Sequence, residues 1–189
     1  MQDHKIRKFM TLAGQTASEK LRSGSPEERK LGAHLLLSEV LEYVIKGLGV
    51  TPQVAGQKIT DPEALQYLVE ETSKVSPLEM LDGLADVAYT MYWNSVAFGI
   101  PLEEGFELVC DNNLEKFVHL EGWQRGELLL DPSEWHCECG IAWPKDVVSV
   151  EVLRVNNDFF AVGKDMRRKV RKPSSYRAVN LKELVQRAA

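Results

Sequence analysis

Four carboxylates carry the clearest chemical suggestion in this sequence. Glu39 and Glu42 stand at i and i+3, and Asp82 and Asp86 at i and i+4. In a helix of roughly 3.6 residues per turn, both spacings place the two acids of a pair on one face. Each pair also interrupts an apolar stripe. The first reads Leu31, Leu35, Glu39, Glu42 with Ile45 beside it, and the second reads Asp82, Asp86, Tyr89, Trp93, Val96. Stripes of this kind are expected to face a helical interior, where unpaired carboxylates repel one another and are costly to desolvate. Either they are protonated there or a cation neutralises them. Mg²⁺ matches the set, since it takes oxygen ligands and is commonly held by one or two carboxylates together with substrate phosphates; Mn²⁺ is the alternative ion. The competing reading is that both stripes lie on a solvated rim and the acids are ordinary surface charge.

The elements that must position these acids read as helices. Residues 3–22 place Ile6, Phe9, Met10, Ala13 and Ala17 at helical spacing and stop at Ser23-Gly24-Ser25. Pro26, Glu27 and Glu28 suit the first turn of a second helix, which runs to about Leu48. Thr60-Asp61-Pro62-Glu63 predicts a shorter helix through about Ser73. Ser76-Pro77-Leu78-Glu79 has the order of a capping box and starts a helix expected to reach Phe98 and end on Gly99. Pro101 opens another, through roughly Val118. Long helices with short connections predict an all-α fold, a four-helix bundle over residues 1–119.

The remainder, 120–189, reads as a small mixed extension. Val147 to Val155 is β-branched, Asn156-Asn157-Asp158 marks a turn, and Phe159 to Val162 resumes the extended pattern, so a β-hairpin is expected over about 147–162. Residues 164–177 form a basic tail with seven Lys/Arg and a single acid, Asp165. Asn180 to Ala188 reads as a terminal helix. Trp123, Trp135 and Trp143 fall in this extension and are expected to build a satellite core rather than to stack bases.

Composition narrows the functional classes. The 189 residues carry a formal net charge of −5, which argues against a dedicated nucleic-acid binder despite the basic tail. The longest uncharged run, Val87 to Leu102, is too short and too polar to span a membrane. The three cysteines, Cys110, Cys137 and Cys139, are an odd set with no apparent secretory segment before them, so a reducing cytoplasm is expected (the host's, if the chain is phage-encoded). His136-Cys137-Glu138-Cys139 invites a zinc reading, but a CxC offers too few ligands for a closed site, and ordinary thiols are expected instead.

At the level of motifs the chain resembles a known family. LLLSEVLEY (35–43) resembles the EExxE helix of the all-α nucleoside-triphosphate pyrophosphohydrolases, the MazG-like superfamily. DGLADVAYTMYWNSVAFGIPLEEGF (82–106) resembles the next helix and turn of that family, and VCDNNLEKF (109–117) the closing N-x-x-K helix. The likeness is to the phage-type phosphoribosyl-ATP pyrophosphohydrolase-like branch and covers roughly residues 5–118. It implies that Glu39, Glu42 and Asp86 are metal ligands, with Asp82 as the upstream acid, one residue earlier than usual. Asn113 and Lys116 would meet the triphosphate, and Gln15 and Trp93 would belong to the base pocket, with Phe9 a further candidate. KVRKPSSY (169–176) resembles the tail of these relatives and implies that Lys169, Lys172 and Tyr176 contact substrate. Two departures stand out: Ser38 occupies the place of the first glutamate of EExxE, and Trp93 a place where a small residue is usual.

The reaction so implied is NTP + H₂O → NMP + PPi, by attack of an activated water at the α-phosphorus, with Glu39 or Glu42 as general base. The alternative is a nucleotide-binding sensor or assembly module that has lost catalysis on the same bundle. Exposed stripes on a short bundle, and the family likeness, predict a homodimer or a higher homo-oligomer.

Overall fold

A computed structural model describes residues 3–70, 74–136 and 141–188. The expected all-α bundle does not describe it. Among the described residues the chain forms five α-helices and two antiparallel sheets, of four and two strands, so the fold is mixed α and β. The buried cores gather at the larger sheet, whereas the longest helix buries none of its residues.

Two compact units are present. One comprises Met1–Glu19 with Asp86–Ala189, and the other Lys20–Ala85. In the first, α1 (Asp3–Ala13) ends at Gly14, whose φ of +71° is the left-handed conformation that terminates helices. The Gln15 N–H donates back to the Met10 carbonyl at 2.8 Å, closing the last turn. The helix expected to run to Arg22 therefore stops half-way, because Gly14 outweighs the apolar spacing that continues to Ala17. The helix α4 (Leu102–Leu114) packs on α1. Lys5 pairs with Glu107 and, at 2.6 Å, with Asp111, and the Phe9 and Phe117 rings meet edge to face at 5.2 Å. Hydrogen bonds to Asp111 and then Glu107 hold the Lys5 ammonium above the ordinary lysine range.

The sheet of this unit has the order β3-β6-β5-β4, with β3 Val118–His119, β4 Leu128–Leu129, β5 Val147–Val155 and β6 Asp158–Asp165. β5 and β6 make the expected hairpin. Val155 pairs with Asp158 across a two-residue turn in which Asn156 takes φ +58°. One core cluster holds Leu120, Leu130, Val147, Val150, Val152 and Ala161, with the Trp123, Trp135 and Trp143 rings packed against it. The other holds Leu12, Ala13, Phe117 and Val162, with Phe9 against it, and joins α1 to the sheet. Lys164 is fully buried on β6, its Nζ 2.7 Å from Glu151 and close enough to Gly14 that a methyl group there would lie 3.3 Å from it. A short helix α5 (Lys182–Ala188) buries Leu184 near Gly105 and bonds Arg187 to Glu104 at 2.7 Å.

In the second unit, α2 (Pro26–Glu42) opens on a complete capping box: Ser25 Oγ accepts from the Glu28 N–H at 3.2 Å, and Glu28 accepts from the Ser25 N–H at 2.7 Å. It continues through a π turn, Tyr43–Gly47. A two-strand hairpin, β1 Gln53–Val54 and β2 Gln57–Lys58, turns on Ala55 and Gly56, both with positive φ, as a type I′ turn requires. The expected helix from Thr60 reduces to one 3₁₀ turn, Pro62–Ala64, capped by Asp61. Beyond it Leu65, Tyr67 and Val69 are half-buried while Gln66, Leu68 and Glu70 are exposed, the alternation of an extended strap. Ser73, the expected end of that helix, lies outside the described residues. The helix α3 (Pro77–Phe98), which from Asp86 on belongs to the first unit, begins with the Ser76 hydroxyl accepting from the Glu79 N–H at 3.3 Å. It ends at Gly99, φ +64°, as its sequence predicts. No helix among the described residues is long and apolar enough to cross a membrane.

Candidate active site

All four acids are exposed. Glu39 and Glu42 lie one turn apart near the end of α2, and Asp82 and Asp86 one turn apart on α3, as their spacing requires. Glu42 is bonded to Lys46 at 3.0 Å. The side chains of Glu39, Asp82 and Asp86 have no hydrogen-bond or ion-pair partner among the described residues. The interior position expected for the stripes is not seen among the described residues: Leu35 is 51% exposed, Tyr89 70%, Trp93 57% and Val96 83%. Ser38 is the one buried residue of α2, at 7% exposure. Nearby on the same helix His34 meets Tyr67 of the strap edge to face and lies 3.3 Å from Glu63.

As a donor set the acids fit a hard divalent cation, being oxygen ligands in turn-spaced pairs, three of them uncommitted to any cationic side chain. Within the chain they are not gathered: among the described residues no group of three or more His, Cys, Asp or Glu side chains comes together as a metal site. Cys137 and Cys139, the thiols of the zinc reading, lie outside the described residues. His136 is exposed, with its Nδ1 3.2 Å from the Ile141 carbonyl.

The residues implied for substrate are dispersed. Asn113 and Lys116 are half-buried at the end of α4, with Lys116 Nζ 2.6 Å from Asn113 Oδ1 and 5.6 Å from the centre of the Phe9 ring. Phe9 thus serves the core and carries a cation on its face. Gln15 is exposed just past the end of α1. Trp93 is exposed on α3, edge to face with Phe98 at 6.4 Å. Lys169 and Lys172 are both exposed on the tail, the latter 4.7 Å from the Tyr176 ring centre. Tyr176 is half-buried, and its hydroxyl donates to Asn112 Oδ1 at 2.5 Å.

Asn112 is the residue that sequence reasoning passed over. It is buried, and its Nδ2 donates to the Arg177 carbonyl at 2.6 Å, so it ties the tail to α4. A second asparagine directly before Asn113 was the available signal. A shallow open depression of about 490 Å³ runs along His119–Arg125 and contains none of the candidate acids.

The arrangement is that of a mixed α/β protein carrying two exposed acid pairs on helices and a basic tail bolted to a third helix. No family model, curated protein or solved structure matches the chain.

Proposed function

We propose that the chain is a metal-dependent nucleoside-triphosphate pyrophosphohydrolase in which Glu39, Glu42, Asp82 and Asp86 hold Mg²⁺ or Mn²⁺. The observation that carries this reading is that Glu39, Asp82 and Asp86 stand at turn spacing with no partner among the described residues, flanked by exposed leucine and aromatic side chains. Those apolar faces are the surfaces that a second copy of the chain would cover. Covering them removes water from the neighbouring carboxylates, a state that a divalent cation relieves. Bound metal supplies positive charge to the phosphate oxygens and favours deprotonation of the attacking water. Glu39, unpaired where Glu42 is held by Lys46, is the better-placed acceptor for that proton. Lys116 and Asn113 would bind the phosphates.

The test is pyrophosphate release from a panel of canonical and modified (d)NTPs with and without Mg²⁺ or Mn²⁺. Glu39→Ala and Asp86→Ala should abolish release at an unchanged melting temperature, since both side chains are exposed and unpartnered. Full activity in either variant sinks the reading. Burial of Ser38, where the resemblance expects an acid, favours the second reading of a nucleotide sensor. Nucleotide binding without turnover in the parent chain would establish that one instead.

A further inference from the structure

The strap after Pro62 meets α2 at His34. The ring Nε2 lies 3.3 Å from Glu63 Oε2, and the His34 and Tyr67 rings stand edge to face with their centroids 5.8 Å apart. Residues 65–70 belong to no helix or sheet and make no backbone-to-backbone hydrogen bond among the described residues. Side chains, not a backbone ladder, therefore hold this segment. On α2, His34, Ser38 and Leu41 stand four and three residues apart on one face, half-buried or, at Ser38, buried. Glu39 and Glu42 come directly after Ser38 and Leu41 and are exposed.

Two features of the strap act in opposite directions. The carboxylate of Glu63 attracts the imidazole and draws the strap down. The Tyr67 hydroxyl is buried and has no hydrogen-bond partner among the described residues. Closing the strap thus takes a hydroxyl out of water and returns no bond, which opposes closure by a factor of about five or more.

We propose that the strap is a releasable cover on α2, latched by His34 on Glu63, held near opening by the Tyr67 hydroxyl, and closed more tightly when His34 is protonated. The latch stands on this geometry alone and holds whatever reaction the chain performs. Histidine changes charge between about pH 5 and 8. With the ring protonated, its contact with Glu63 is an ion pair; with the ring neutral, it is a hydrogen bond carrying a single charge and is weaker. The pairing therefore stabilises the closed strap at the acid end of that range and is lost as pH rises. Glu63 and Tyr67 are the titratable groups that the strap brings to the ring, and Lys30 stands one turn earlier on α2 itself.

The experiment is limited proteolysis of the full chain with chymotrypsin, the cut after Tyr67 being followed by mass spectrometry. A free peptide of residues 60–70, carrying the same substitution as the chain, corrects for the protease's own response to pH and sequence. Where opening is fast relative to cleavage, the ratio of the two rates reports the open fraction. That ratio should rise about twofold to fivefold between about pH 6 and about pH 8. Glu63→Gln should flatten the rise, and His34→Ala should give at both pH values a rate no slower than the parent's at the higher one. Tyr67→Phe, which remains a chymotrypsin site, should slow the cut about fivefold or more. A parent chain cut as fast as its peptide overturns the cover. A pH response that survives Glu63→Gln overturns the latch, and a Tyr67→Phe chain cut as fast as the parent overturns the opposing role of the hydroxyl. Should His34→Ala fail to fold, the profiles of the parent and Glu63→Gln still decide the latch.

Discussion

Gly163 offers the sharpest test of how the sheet is packed. It lies in β6 opposite Val150, and its missing side chain is the space the Trp143 ring occupies. A methyl group at Gly163 would stand 2.4, 2.8 and 3.0 Å from three atoms of that ring. Carbon atoms in contact sit about 3.5–4.0 Å apart, so the ring must withdraw by about 1 Å or more. It has nowhere easy to go, since it packs against the cluster built on Leu120, Leu130, Val150 and Val152. Overpacking of this kind costs about 1–3 kcal/mol, and a clash with three atoms of a rigid ring belongs at the upper end. Gly163 does not have a positive φ, so alanine also narrows the unfolded ensemble and returns about 0.4–1 kcal/mol. Gly163→Ala should therefore destabilise by about 2 kcal/mol. In a Trp143→Ala background the clash is gone, and the same substitution should become neutral or slightly stabilising, a coupling of about 2–3 kcal/mol. Urea denaturation of the four proteins, followed by circular dichroism, measures the cycle. An equal cost with and without the ring would refute the packing argument.

Three further outcomes are expected. Gly14→Ala must place a side chain at φ +71° and 3.3 Å from Lys164 Nζ, which should cost about 1–2 kcal/mol and lower the melting temperature; wild-type stability would show that α1 does not need this termination. Glu151→Ala leaves the fully buried Lys164 ammonium without its carboxylate and should cost about 3–5 kcal/mol, more than Lys164→Met, which removes the charge itself; chemical denaturation showing the reverse order would refute a paired charge there. Acid should loosen the turn at 131–134. The Arg125 hydrogen bond and then the Asp131 N–H hold Glu134 below its ordinary 4.5, and the Ser133 hydroxyl and N–H hold Asp131 below 3.8. With folded values depressed, their stabilisation is complete above those ordinary values and is lost as pH falls through the lower folded ones. Trp135, bonded to Leu130 beside this turn, should report the change in its fluorescence, and Glu134→Gln should weaken the response.

Legibility from sequence divides by the range of the interaction that decides each feature. The β5–β6 hairpin is legible because alternation in Val147–Val155 and the Asn-rich turn are both local. The end of α3 at Gly99 is legible for the same reason. The strap after Pro62 carries its period-two alternation only in part in the sequence, since Leu68 is apolar yet exposed, and the helix-start signal at Thr60–Glu63 points the other way. The all-α expectation fails at Val118 and His119. Val118, taken as the tail of a helix, pairs instead with Ala161, and His119 after it with Phe160, so that together they begin a sheet. Of the candidate site, spacing gives which acids share a face. It cannot give that those faces stay exposed within one chain, since burial depends on what docks there. Nor can it give the bond from Tyr176 to Asn112, which joins residues 64 positions apart.

The π turn at Tyr43–Gly47 comes directly after Glu42 and closes with the Leu48 N–H on the Tyr43 carbonyl at 2.9 Å. Such a turn amounts to an α-helix holding one residue too many. Its Tyr43 ring folds back over Gly47, where even a methyl group would approach it to 3.0 Å. Because the surplus residue comes after both acids, changes of chain length here leave the spacing of Glu39 and Glu42 untouched. Deleting one residue within the turn would restore ordinary winding and rotate the downstream chain by about 100°. An insertion or deletion within the turn thus spares the spacing of Glu39 and Glu42 but redirects the chain that leads on to Asp82 and Asp86.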